Sequence, residues 1–96
     1  MLSGVNLDTF AIQVLYNDAK SAWLSGGSSL LMDYLFLDHK ISEYTLWFDS
    51  KLDAQKYIQK CDLKSGSNIL EESKDGKDKL IKAESFRIVR IEVQEV

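Results

Sequence analysis

His39 is the only histidine in the chain and Cys61 the only cysteine. Together they would make a minimal enzyme, with a thiolate nucleophile and an imidazole as its base. The spacing argues against it. Cys61 closes an apolar helical stripe, where the C-terminal end of the helix dipole disfavours a thiolate. It is therefore expected to be a buried structural thiol that reagents reach only on unfolding. His39 follows Asp38, but neighbouring strand residues point to opposite faces, and no serine of the nucleophile-elbow type accompanies the pair. No catalytic residue is assigned.

Metal and phosphate chemistry fare no better. One histidine and one cysteine cannot build a structural zinc site. A calcium loop around Asp75-Gly76 would begin at Glu71 and place Lys82 where a bidentate acid is needed. Gly26-Gly27-Ser28-Ser29 would cradle a phosphate only if a helix began there. It lacks the following Lys-Ser/Thr and the strand–glycine fingerprint of nucleotide sites. A small-ligand or nucleotide-binding alternative rests on this loop alone, and no cofactor and no metal are expected.

The charge distribution narrows the partners. The net charge is −3. Residues 1–50 carry Lys20 and Lys40 against six acids, and residues 51–96 carry ten basic and nine acidic side chains. Neither half would neutralise a run of phosphates, so duplex nucleic acid is an unsuitable ligand. The longest apolar stretch, Leu30 to Leu37, is interrupted by Asp33 and is too short for a membrane span. Met1 to Val5 lacks a basic segment followed by an apolar one, so no signal peptide and a cytoplasmic location are expected. The partner that remains is a protein. Trp23, Tyr34, Phe36, Tyr44, Trp47 and Phe48 crowd the acidic half, and Trp and Tyr favour interface centres. Trp47, Tyr34, Asp33, Asp38 and Glu43 are the candidate contact residues: exposed rings ringed with acids.

The elements that must position them follow from periodicity. Thr9–Tyr16 alternates as a strand. Asn17–Lys20 reads as a turn, and Ser21–Leu24 as a returning strand with Trp23 toward the core and a break at Ser25–Ser28. Residues 29–39 suit either a helix or a buried strand, with strand favoured by aromatic content. Tyr44–Phe48 reads as a strand with Tyr44, Leu46 and Phe48 inward and Trp47 outward. Ser50 caps a helix over 51–61 in which Ala54, Tyr57, Ile58 and Cys61 form one stripe. Asp75-Gly76 signals a hairpin between strands near 68–72 and 80–83, within a charged mobile arm over about 64–84 of which residues 66–79 are expected to be the most mobile segment. Phe86–Val93 reads as an interior strand, apolar on both faces in its first half. The sum is one α+β domain over 1–96: a mainly antiparallel sheet of four to six strands with one helix packed on one face.

The run Phe10-Ala11-Ile12-Gln13-Val14, a Trp-bearing return strand, Phe48-Asp49-Ser50 before a helix with Ala54 and Tyr57-Ile58, and the closing Arg87-Ile88-Val89 resemble small orphan α+β proteins of bacteriophages and mobile elements. The resemblance covers about 50 of 96 residues and departs at 25–43 and 64–84. It implies a non-enzymatic protein-binding module that inhibits or modulates a host protein, such as a defence-system component, by occluding its surface in the host cytoplasm. Exposed sheet edges leave room for a homodimer.

Overall fold

The structure, a computed structural model, describes residues 8–28, 33–72 and 75–92. Six strands and one helix follow one another as β1 (Asp8–Tyr16), β2 (Lys20–Ser28), β3 (Asp33–Asp38), α1 (Lys51–Lys60), β4 (Asn68–Glu71), β5 (Lys79–Lys82) and β6 (Ser85–Glu92). They form one sheet in the order β5-β4-β3-β2-β1-β6. Every pair is antiparallel except β3–β4, which α1 connects in parallel. The expected α+β fold, with one helix on one face of a mainly antiparallel sheet, is the fold observed.

The β1–β2 hairpin turns through Asn17 (φ 46°) and Asp18 (φ 67°). Asn and Asp accept this left-handed backbone more readily than other side chains. The Asp18 N–H is held by the Glu84 carboxylate at 2.7 Å. β2 then runs four residues past its expected end. Gly26 and Gly27 do not break the strand; they pair with Leu35 and Tyr34 of β3. Of the segment 29–39, residues 33–38 form a strand, and 29–32 lie outside the described residues. Alternation places Ala22 and Leu24 on the helix-covered face with Ile12, Val14, Tyr16, Leu37 and Ile69, where they form the buried core. Trp23 pairs with Gln13 and so stands on the opposite face, half-buried, rather than in the core.

Residues 44–48 do not form the continuous strand expected. β1 and β2 pair only from Gln13↔Trp23 to Tyr16↔Lys20. Beyond that they splay, and the 44–48 segment enters the gap. Its two bridges are Phe10↔Phe48 and Ser25↔Thr45. Four backbone bonds of 2.9–3.2 Å tie it to both sides: Gly26 N–H to Tyr44, Leu46 N–H to Leu24, and a reciprocal pair between Phe10 and Phe48. Leu46 and Phe48 pack against the core, and the Phe48 ring lies 5.3 Å from that of Tyr57. Trp47, between them, points the other way and is 41% exposed. Tyr44, expected inward, is 54% exposed, because it sits in the turn before the bridges where alternation does not yet apply.

Ser50 caps α1 by accepting the Asp53 N–H at 3.1 Å. The helix ends one residue early. Leu63 N–H bonds to the Ile58 carbonyl and Asp62 N–H to Gln59, with Asp62 left-handed at φ 54°. This paired arrangement is a Schellman ending. It returns Leu63 to the core and leaves Cys61 exposed. The structural, buried thiol expected at Cys61 is thus corrected: the helix unwinds just where the stripe would have carried it inward. The expected hairpin near 68–83 is present, with β4 hydrogen-bonded to β3. Its ladder ends at Glu71↔Lys79, so the connection is longer than the two-residue turn suggested by Asp75-Gly76. β6, read as an interior strand, is an edge.

Phe48→Ala should cost roughly 3 kcal/mol, the low end for Phe truncation because the ring is half-buried. Trp47→Ala should cost about 1 kcal/mol. Chemical denaturation of both variants checks the pair; equal losses would place Trp47 in the core.

Candidate functional site

The face turned away from α1 carries a groove of about 980 Å³ walled by Gly27, Tyr34, Phe36, Tyr44, Asp38, His39, Lys40, Ser42 and Glu72. Its floor is built by the β2–β3 pairing. Tyr34 lies across from Gly27. A Cβ on Gly27 would fall 2.5 Å from the Tyr34 ring, so the glycine is what lets the ring lie flat on the strand. The rings then continue outward: Tyr34 and Phe36 are 5.9 Å apart, and Phe36 and Tyr44 are 6.1 Å apart edge to face. Both are ordinary aromatic pairing geometries.

The turn from β3 into the 44–48 segment fixes the outermost ring. The Asp38 carboxylate accepts the Ser42 hydroxyl at 2.7 Å and the Lys40 N–H at 3.2 Å. Ser42 N–H donates to the Thr45 hydroxyl at 2.8 Å, and Tyr44 N–H donates to Ser42 Oγ at 3.1 Å. Asp38, expected as a contact acid, therefore organises the loop that presents Tyr44. Glu43 is exposed at the tip of this turn. Asp33 opens β3 opposite Ser28, and its side chain lies outside what is described. Trp47 is not part of the groove wall but shares its face, three residues and roughly 10 Å of chain beyond Tyr44.

Two tyrosine–glutamate contacts set the electrostatics. Tyr34 donates to Glu72 at 3.3 Å. The carboxylates of Glu72 and, more weakly, Asp78 help hold its phenol above the usual range, Glu72 being the largest cause. On the core face Tyr16 donates to Glu71 at 3.2 Å, and burial first and Glu71 second raise its phenol pKa. The same Glu71 oxygen meets His39 Nε2 at 3.4 Å. His39 is thus a largely exposed partner of Glu71 rather than of Asp38 or Cys61. Cys61 instead sits by Tyr57, whose phenol is pushed up to about 12 by burial and then by a hydrogen bond with Cys61. The suggested Cys61–His39 pair is not assembled: each has its own neighbour. Of the suggested Gly26–Ser29 phosphate loop, Gly26, Gly27 and Ser28 are strand residues, and Ser29 lies outside the described residues. Among the described residues no group of three or more His, Cys, Asp or Glu is placed to hold a metal ion. None of their helices is long and apolar enough to cross a membrane.

The groove is not legible in the sequence because it depends on Gly27, whose residue type signals a break, staying in the strand. The signal was present in Gly27 followed by Tyr34 at hairpin distance, which reads as a cross-strand pair once Gly27 is kept in the strand.

Two measurements test this chemistry. Cys61 should react with a thiol reagent in the native protein nearly as fast as in denaturant; strong native protection would return it to the core. The raised phenol of Tyr57 favours the neutral form in the fold, so its contribution is fully present below the unfolded value near 10 and is lost as pH climbs toward about 12. Stability should fall over that window, and Tyr57→Phe should flatten the fall, leaving a residual slope from Tyr16 and Tyr34. An unchanged slope in urea midpoints against pH would show the Tyr57 shift to be absent.

No protein-family model, no curated protein and no solved structure matches the chain.

Proposed function

We propose that this chain is a non-enzymatic protein-binding module that acts by covering part of another protein's surface. The observation that carries it is the face opposite α1. There Tyr44 is 54% and Trp47 41% exposed, beside a groove walled by Tyr34 and Phe36. Single exposed apolar residues are ordinary, whereas several large rings on one face rimmed by acids are the make-up of an interface centre. The rings are also rigidly backed: Gly27 seats Tyr34, Asp38 and Ser42 fix the Tyr44 turn, and Trp47 rides on a segment bonded on both sides. Such preorganisation lowers the entropy lost on binding. Glu43 and Glu72 would favour a partner with basic groups around an apolar patch. The finer reading, an inhibitor or modulator encoded by a bacteriophage or mobile element and working in the host cytoplasm, is supported only by the sequence pattern set out above.

The test is affinity capture from bacterial lysate with the unmodified chain and with Tyr44→Ala/Trp47→Ala. A specific partner should be retained by the first and lost by the second. With the purified partner, affinity should weaken by about 2 kcal/mol or more, roughly 30-fold, with a near-native melting curve. If the doubly substituted chain binds as well as the original, the interface lies elsewhere. A small molecule that raises the melting temperature by filling the groove would favour a ligand-binding role instead.

A further inference from the structure

The two edges of the sheet are built differently. β5 is four residues long and carries Lys79 and Lys82 at its ends, the usual protection of an exposed edge. β6 is twice as long, has no proline, carries Arg87, Arg90 and Glu92 as its charges, and keeps an unbroken register with β1 from Ser85↔Leu15 to Glu92↔Asp8. Its residues Phe86, Ile88, Val89 and Ile91 are all half-buried, the composition of an interior strand on an outer position. The backbone polarity follows from β1. Phe10 exchanges both its bonds with Phe48, so the even residues of β1 face away from β6 and the odd ones face it. By register, Ser85, Arg87, Val89 and Ile91 complete that ladder. Phe86 and Ile88 therefore turn their N–H and C=O groups outward, and among the described residues no strand meets them.

We infer that β6 pairs antiparallel with β6 of a second copy of this chain, joining the two sheets into one twelve-stranded sheet across a two-fold axis at Ile88. An isologous interface of this kind requires a strand that is complementary to itself. The outward backbone groups lie on even residues, so the axis must bring even residues opposite even residues. An axis at Arg87 or Arg90 would set like charges directly opposite one another, which is unfavourable. An axis at Val89 sets Ile88 opposite Arg90 and Phe86 opposite Glu92, which leaves no apolar pair among the outward-facing residues. The axis at Ile88 sets Ile88 against its own copy, an apolar pair at the centre, places Phe86 opposite Arg90 and Arg87 opposite Val89 of the partner subunit, and brings Glu84 and Glu92 opposite each other only where β6 ends. The face carrying Tyr44 and Trp47 stays open, so this pairing and the proposed partner binding are independent.

Sedimentation of the unmodified chain should show its mass doubling with concentration, and hydrogen exchange at the Phe86 and Ile88 amides should slow in step. In a Cys61→Ser background, Ile88→Cys should give a disulfide dimer under mild oxidation, since facing hydrogen-bonded residues lie within disulfide reach at about 5.5 Å. Leu80→Cys, on the β5 edge, should not. Should Ile88→Cys fail to fold, the exchange measurement on the unmodified chain decides alone. A chain that stays monomeric with freely exchanging amides overturns the inference. So does a monomer with those amides protected, which would show the edge covered by the chain's own ends, and so does a dimer cross-linked only through Leu80→Cys.

Discussion

The structure depends on how the gap between β1 and β2 is filled. Two strands joined by a tight hairpin would ordinarily pair along their whole length, and here they part after Gln13↔Trp23. Left open, the splay would bury unpaired backbone groups of Phe10, Leu24 and Gly26 beside the core, each costing about 1–3 kcal/mol. The 44–48 segment answers all three with backbone bonds. In doing so it fixes the direction of every side chain it carries. Leu46 is set on Gly26, where a Cβ would lie 3.1 Å from its side chain, and Phe48 against Tyr57. Trp47 is sent to the far face, and the chain is delivered to the Ser50 cap of α1. Core, helix and exposed aromatic face thus share one origin.

That origin explains which parts were legible in the sequence. β1, the Asn17-Asp18 turn, α1 and the two faces of β6 are local: alternation, caps and left-handed residues state them without reference to anything distant. The extent of β2 is not local. Gly26 and Gly27 belong to a strand only because Leu46 and Tyr34 supply the side chains they lack, a compensation from residues seven and twenty positions away that no window of alternation contains. The 44–48 segment failed in part for the same reason. Its alternation from Thr45 to Phe48 is genuine, but what it pairs with is two strands at once, each touched briefly. The helical period points Cys61 inward, but the helix ends one residue before it and Asp62 takes the left-handed turn usually given to glycine.

The candidate site was legible as a composition and not as an arrangement. Rings and acids crowding one half of the chain are visible in the sequence, and Trp47 and Tyr34 do share a face. The acids, however, divide by role. Asp38 spends both oxygens on the turn that carries Tyr44, and Glu71 is occupied by the hydroxyl of buried Tyr16 and by His39. Glu72 and Glu43 remain at the rim. A carboxylate's sequence position cannot separate these cases, since what decides is how many partners reach it: Asp38 and Glu71 each meet two, whereas Glu72 accepts only the Tyr34 hydroxyl among the contacts described above and stays exposed.

The same logic bears on the strand that closes the sheet. In the sequence β6 looked interior because Phe86, Ile88, Val89 and Ile91 are apolar on both faces, and apolarity on both faces is what an interior position selects. α1 lies across β1 and β6 and accounts for Phe86 and Ile88. It does not account for Val89 and Ile91 on the other face, nor for a ladder left regular to its end. Edges that are meant to stay open are shortened, bulged or charged, because a regular edge invites pairing. β5 is short as well as charged, whereas β6 keeps a full eight residues with Arg87, Arg90 and Glu92 interleaved among Phe86, Ile88, Val89 and Ile91. The contrast in length is informative because both strands border one sheet among the described residues, so a general demand for solubility would have shortened them alike.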